Sequence, residues 1–126
     1  MESKSGKIVW FDLTVENADS VRNFYQQVVG WSSDPVDMGE YQDFMMKTDA
    51  GDVAAGICHK RGDNKNQPPQ WMMYIVVDNL DQSLAACEAH GGKILVPIRD
   101  AGSSRFAVIE DPARAVCTLY EQRASA

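Results

Sequence analysis

The sequence predicts an α+β fold of two βαβββ modules related by pseudo-twofold symmetry, with the strands forming a curved mixed-sheet cup. Two observations carry that expectation. Displacing the chain against itself by 62 positions aligns Val15 with Val77, Asn17 with Asn79, Asp19 with Asp81 and Gly30 with Gly92. The same displacement aligns Pro35 with Pro97, Phe44 with Phe106 and Asp49 with Asp111, and no gap is needed. These identities are few, but they fall where elements begin and end. The second observation is that both halves show one order of local patterns.

Each half opens on a run that suits a strand: Ile8 to Val15, and Met72 to Val77. Asn17 and Asn79 follow as helix N-caps. Val21, Phe24, Tyr25 and Val28 then recur at helical spacing, and Leu80, Leu84, Ala86 and Cys87 make a weaker stripe. Gly30 and Gly91-Gly92 stop the helices. Three short strands come next in each half. They are about Trp31–Val36, Tyr41–Lys47 and Val53–His59, then about Lys93–Pro97, Arg105–Glu110 and Ala115–Glu121. Polar residues Arg61 to Pro69 separate module 1, about 7–60, from module 2, about 70–122, in one domain over 1–126.

Composition narrows the function classes. A length of 126 residues with 44% hydrophobic and 24% charged residues is that of an ordinary globular domain. A net charge of −6 argues against nucleic acid, whose binding rests on basic patches. No apolar run approaches the roughly 18 residues that span a bilayer, and the opening residues carry no secretory signal, so no membrane association and a cytoplasmic location are expected. Cys58, Cys87 and Cys117 are widely spaced and form no CxxC pair, which suits free, buried thiols in a reducing compartment.

The segment DLTVENADSVRNFYQQVVGW resembles the opening strand and helix of the vicinal oxygen chelate superfamily. VVDNLDQSLAACEAHGGKI and VIEDPARAVCTLYE resemble the opening and closing of its second module, so the resemblance runs from about Lys7 to Gln122. Glyoxalase I, bleomycin-resistance proteins and extradiol dioxygenases share that architecture, which hosts many chemistries. In metal-using members the first and last strand of each module supply one ligand apiece. The resemblance puts those positions at Trp10, Gly56, Met72 and Thr118, and the repeat pairs them at the same spacing. None is a useful ligand for zinc, nickel or iron(II). His59 and His90 fall elsewhere and read as surface residues. No metal and no cofactor are therefore expected.

Strand alternation gives the rest of the candidate site. With Trp10 facing into the cup, Ile8, Asp12 and Thr14 share its face, and Phe11, Leu13 and Val15 meet the first helix. Met72, Tyr74, Gly56, Cys58, Thr118 and Tyr120 face inward with them. These residues make aromatic walls with a few polar points, as small-molecule sites have. Asp12 is either a ligand anchor or general base, or a carboxylate held structurally by Tyr74 or Arg105. The expected protein binds a small organic molecule, on the pattern of glyoxalase/bleomycin-resistance proteins without the usual metal ligands, and the resemblance implies a homodimer. The alternatives are a metal-dependent lyase of the glyoxalase I type or an extradiol dioxygenase, or a metal-independent enzyme with Asp12 as base.

Overall fold

In the computed structural model, which describes residues 4–61 and 65–122, the strand that opens each module lies parallel to the strand that closes it. The first module contains β1 (Ile8–Val15), α1 (Ala18–Val29), β2 (Ser32–Asp37), β3 (Gln42–Lys47) and β4 (Val53–His59). The second contains β5 (Trp71–Val76), α2 (Leu80–Ala89), β6 (Lys93–Ala101), β7 (Ser104–Glu110) and β8 (Val116–Gln122). The βαβββ order is thus present twice, in an α+β architecture. Part of the expected linker, residues 62–64, lies outside the described residues.

The chain divides into two compact units. One is Phe11–Trp71, and the other is Met1–Trp10 with Met72–Ala126. In the first, β2 pairs antiparallel with β3 and β3 with β4, and β4 runs parallel to β1. The second repeats this through β6, β7, β8 and β5. The repeat reaches the hydrogen-bond register. Asp12 faces Gly56 and Leu13 faces Ile57; 62 residues on, Tyr74 faces Thr118 and Ile75 faces Leu119.

One strand breaks the symmetry. Phe44 pairs with Ile57, but it is Ala107, not Phe106, that pairs with Leu119. The constant offset expected from the sequence therefore fails between β3 and β7 by one residue. Because side chains alternate along a strand, a one-residue slip reverses the face. Phe44 is buried beneath α1 with Ala18, Met46 and Ile57. Phe106 instead points away from α2, with its ring 6.4 Å from that of Tyr74.

Each helix covers one sheet face because its apolar residues recur every three or four positions. Val21 and Tyr25 of α1 pack on the Phe44 cluster, together with Trp31 and Trp71. The Trp71 indole N–H donates to the Tyr25 hydroxyl at 3.0 Å, so the aromatic corner is satisfied as well as packed. The expected stripe is only half covered, since Phe24 and Val28 are exposed. Leu80 and Leu84 of α2 pack on Ala107 and Leu119. Phe11 was expected under α1 and is instead 44% exposed, while Leu13, two residues on, is buried.

Capping separates the two helices. The Asn79 side chain accepts from the Gln82 N–H at 3.0 Å, as an N-cap should. Asn17 makes no side-chain cap bond, contrary to expectation. The start of α2 is held a second time, by Glu121 of β8, whose Oε2 accepts from the Leu80 N–H at 2.7 Å. Arg105 donates to both carboxylate oxygens of Glu121, at 2.9 and 3.2 Å, and to Asp81 at 3.1 Å. This carboxylate is favoured at the positive end of the helix dipole.

The helix stops are as the sequence expects. Gly30 (φ 85°) and Gly91 (φ 93°) adopt the left-handed region that favours glycine. Gly92 is required for a different reason: a Cβ there would lie 2.5 Å from Cys87 Sγ and 3.0 and 3.1 Å from the carbonyl oxygens of Glu110 and Cys87. Two of those three neighbours are backbone and cannot swing aside. Gly92→Ala is therefore expected to lower stability by about 1–3 kcal/mol, read as a lower urea midpoint at unchanged m-value. An unchanged midpoint would show that the α2–β6 corner has slack.

Candidate functional site

The residues before β1 are held to β5 by the backbone. The Gly6 N–H donates to Val76 O at 2.7 Å, and the Val76 N–H donates to Lys7 O at 2.9 Å. The Lys7 N–H closes a turn onto Lys4 O at 3.0 Å, with Gly6 at its positive-φ position (87°). This lacing sets Lys4, Val9 and Trp10 against the side of the second-module sheet that faces away from α2. There they line a cavity of about 350 Å³ with Tyr74, Tyr120 and Gln122. The floor of that face is apolar, formed by fully buried Met72 and Val108 with Val96, Val116 and Tyr74 packed around them. Phe106 continues the aromatic surface beyond Tyr74, with the Arg99 guanidinium 4.8 Å from its ring centroid.

Of the eight residues expected in the site, Trp10, Tyr74 and Tyr120 line this cavity. Met72 and Thr118 lie in the same unit but are fully buried. Asp12, Gly56 and Cys58 belong to the other unit, on the sheet face opposite α1, where Asp12 pairs with Gly56 and Thr14 with Cys58. Lys4, Val9 and Gln122 were not foreseen. Gln122 was legible, since it continues the alternation Thr118, Tyr120 by one step. Val9 breaks alternation by lining the same cavity as Trp10. Lys4 lies in a polar stretch that reads as a tail, and Gly6 was the one sign of a turn.

The structural alternative for Asp12 loses one of its named partners: Arg105 is committed to Glu121 and Asp81. Asp12 is half-buried, and its Oδ1 is covered.

A second polar group was misread from sequence. His59 is buried, not on the surface, at 7% exposure. Its backbone N–H donates to Asp43 Oδ1 at 2.8 Å, and its ring Nδ1 lies 3.4 Å from that same oxygen. Its Nε2 is 3.9 Å from Asp19 in the first turn of α1. The rings of Tyr41 and Phe44 flank it. Asp43, which the sequence did not single out, thereby joins the start of β3 to the end of β4. His90 caps the end of α2 and is exposed, as expected.

The four positions are poor in metal donors. Trp10 and Gly56 bring no donor side chain, Met72 brings a buried thioether, and Thr118 brings one buried neutral hydroxyl. That set does not fit zinc, nickel or iron(II). Among the described residues, no three His, Cys, Asp or Glu side chains are grouped to hold an ion.

The comparisons with known proteins agree with this architecture. Residues 7–116 match the Glyoxalase/Bleomycin resistance protein/Dioxygenase superfamily, and the chain belongs to it. Proteins of Mycobacterium bovis and Mycobacterium tuberculosis, both named "Putative glyoxylase CFP32", are 30% identical over 120 residues. That is 94% of this chain and 45% of theirs, so the chain spans about half the length of these curated relatives. Among solved structures, a variant methylmalonyl-CoA epimerase of Streptomyces coelicolor with 2-nitronate-propionyl-CoA has a TM-score of 0.57 at 16% identity, covering 97% of this chain and 100% of that one. The hypothetical protein BH1468 of Bacillus halodurans has a TM-score of 0.59 at 12% identity, covering 98% and 99%. Identities this low show a shared fold alone.

The thiols are free, and Cys58 has a distinct setting. Burial first, then the charges of Asp12 and Asp43 and a hydrogen bond with Asp43, push its pKa far above the usual thiol range. A thiol raised in the folded state contributes stability that is present below its unfolded pKa, roughly 8.5, and is lost as pH rises beyond it. Wild-type unfolding free energy should therefore fall more steeply between about pH 8.5 and 9.5 than that of Cys58→Ala, measured by urea titration. Parallel curves would show that the Cys58 thiol is not held protonated by the fold.

Proposed function

We propose that this chain is a metal-independent, small-molecule-binding member of the superfamily, whose ligand occupies the cavity walled by Trp10, Tyr74 and Tyr120. One observation carries the reading: the positions from which the family's metal users draw ligands hold Trp10, Gly56, Met72 and Thr118, and Trp10 is instead an aromatic wall of a cavity. Aromatic side chains offer large, rigid contact area for an apolar ligand, and the tyrosine hydroxyls add direction. The cavity volume lies at the lower end of the range that holds small ligands.

A second reading makes the chain an enzyme with Asp12 as general base. A mid-strand carboxylate with its Oδ1 covered favours it, because a general base must be a carboxylate held at a fixed place on a rigid element.

A homodimer and a cytoplasmic location go with both readings. The curated relatives are about twice this length, and α1 leaves Phe24, Val28 and Val29 exposed, more apolar surface than a lone helix face usually carries. No described helix is long and apolar enough to cross a membrane, and the cysteines are free. Light scattering on eluted protein should give twice the chain mass, with Val28→Glu shifting it toward one.

The main experiment has two arms. Protein purified without chelator should carry substoichiometric divalent metal by mass spectrometry, and EDTA should leave its melting temperature unchanged. In a thermal-shift screen of small organic compounds, a saturating hit should raise the melting temperature by several degrees in wild type and not in Tyr120→Ala. A stoichiometric catalytic metal would overturn the leading reading. Conversion of the hit to product that stops in Asp12→Asn would replace binding with catalysis.

A further inference from the structure

Among the described residues that line the cavity, Lys4 is the one charged side chain, and it does not arrive there by accident of a loose end. A turn closed by the Lys7 N–H on Lys4 O, with Gly6 at φ 87°, fixes the backbone at this point. Two further bonds, between Gly6 and Val76 and between Val76 and Lys7, tie that turn to β5, two residues from Tyr74. The walls are one indole and two phenols, and the remaining polar lining is the Gln122 amide. Among the described residues lining it there is no Asp or Glu, although the chain as a whole carries −6. The sign of the described lining is thus opposite to the global one.

We propose that the ligand class of this cavity is a small aromatic carrying an anionic group, such as a carboxylate, with Lys4 as its charge-reading residue. The inference rests on the cavity reading given above and adds its chemistry. The ring lies against Trp10, Tyr74 and Tyr120, where flat apolar surface is matched. The anion meets the Lys4 ammonium, with the Gln122 amide N–H and the tyrosine hydroxyls as further donors. A cationic aromatic gains ring contact but faces Lys4. Charge complementarity at one partly solvated contact sets selectivity more than total affinity.

Three probes of one shape and different charge test this: phenylacetate, phenylacetamide and phenethylamine. Each is titrated into isotopically labelled full-length protein at low and high salt, following the Trp10 indole and the backbone amides of Tyr74, Tyr120 and Gln122. The expected result is phenylacetate bound about five-fold more tightly than the amide, with phenethylamine weakest. That preference should shrink at high salt. Lys4→Gln should erase it by weakening phenylacetate alone, and Lys4→Arg should keep it. Shifts of the cavity resonances with no charge preference, or with one that Lys4→Gln leaves intact, overturn the role of Lys4 and leave the cavity reading standing. No shift at these resonances with any probe overturns the aromatic-anion class, and the cavity reading then rests on the compound screen alone.

Discussion

The parallel pairing of each module's first and last strands is the constraint from which the rest follows. Two parallel neighbours cannot be joined by a hairpin; the chain must leave the sheet and return. In both modules it leaves through a helix and comes back through two antiparallel strands, and so each pair ends up with a helix on one face only. That is why an apolar cluster forms beneath each helix and why side chains opposite the helix are released for other uses. In the second module the released face carries Tyr74, Tyr120 and Phe106 above a buried floor of Met72 and Val108.

Much of this was legible in the residues. The 62-residue repeat read in the sequence carries into the register of the parallel pairs, since identical spacing on both strands of a pair leaves the pairing unchanged. The glycine stops were legible because a left-handed residue has few alternatives. The slip of β7 was not, because an identity such as Phe44/Phe106 reports side-chain chemistry and carries no record of which face it occupies. Asn17 misled for a related reason: cap residues are favoured by type, but the bond depends on backbone angles, and φ −110°, ψ 57° does not aim its side chain at the helix.

The candidate site was legible in part. Trp10, Tyr74 and Tyr120 emerged from alternation and resemblance and share a cavity. His59 was misjudged because its sequence neighbours, Lys60 and Arg61, are charged, whereas its burial is decided by Asp43, sixteen residues away along the chain. Lys4 was invisible because its position is set by hydrogen bonds between its turn and β5, a contact that no local pattern encodes. Long-range pairing of two polar groups leaves little trace in either segment alone.

The one-residue slip of β7 also bears on how such a chain diversifies. In a duplicated module, one added position in a hairpin exchanges the two faces of a whole strand without disturbing the pairs on which the architecture depends. An aromatic that packed under a helix in one copy becomes, in the other, a surface beside Tyr74. A binding wall can therefore arise from existing core residues by a change of frame, with no new side chain introduced, and the two halves can part in function while keeping one fold.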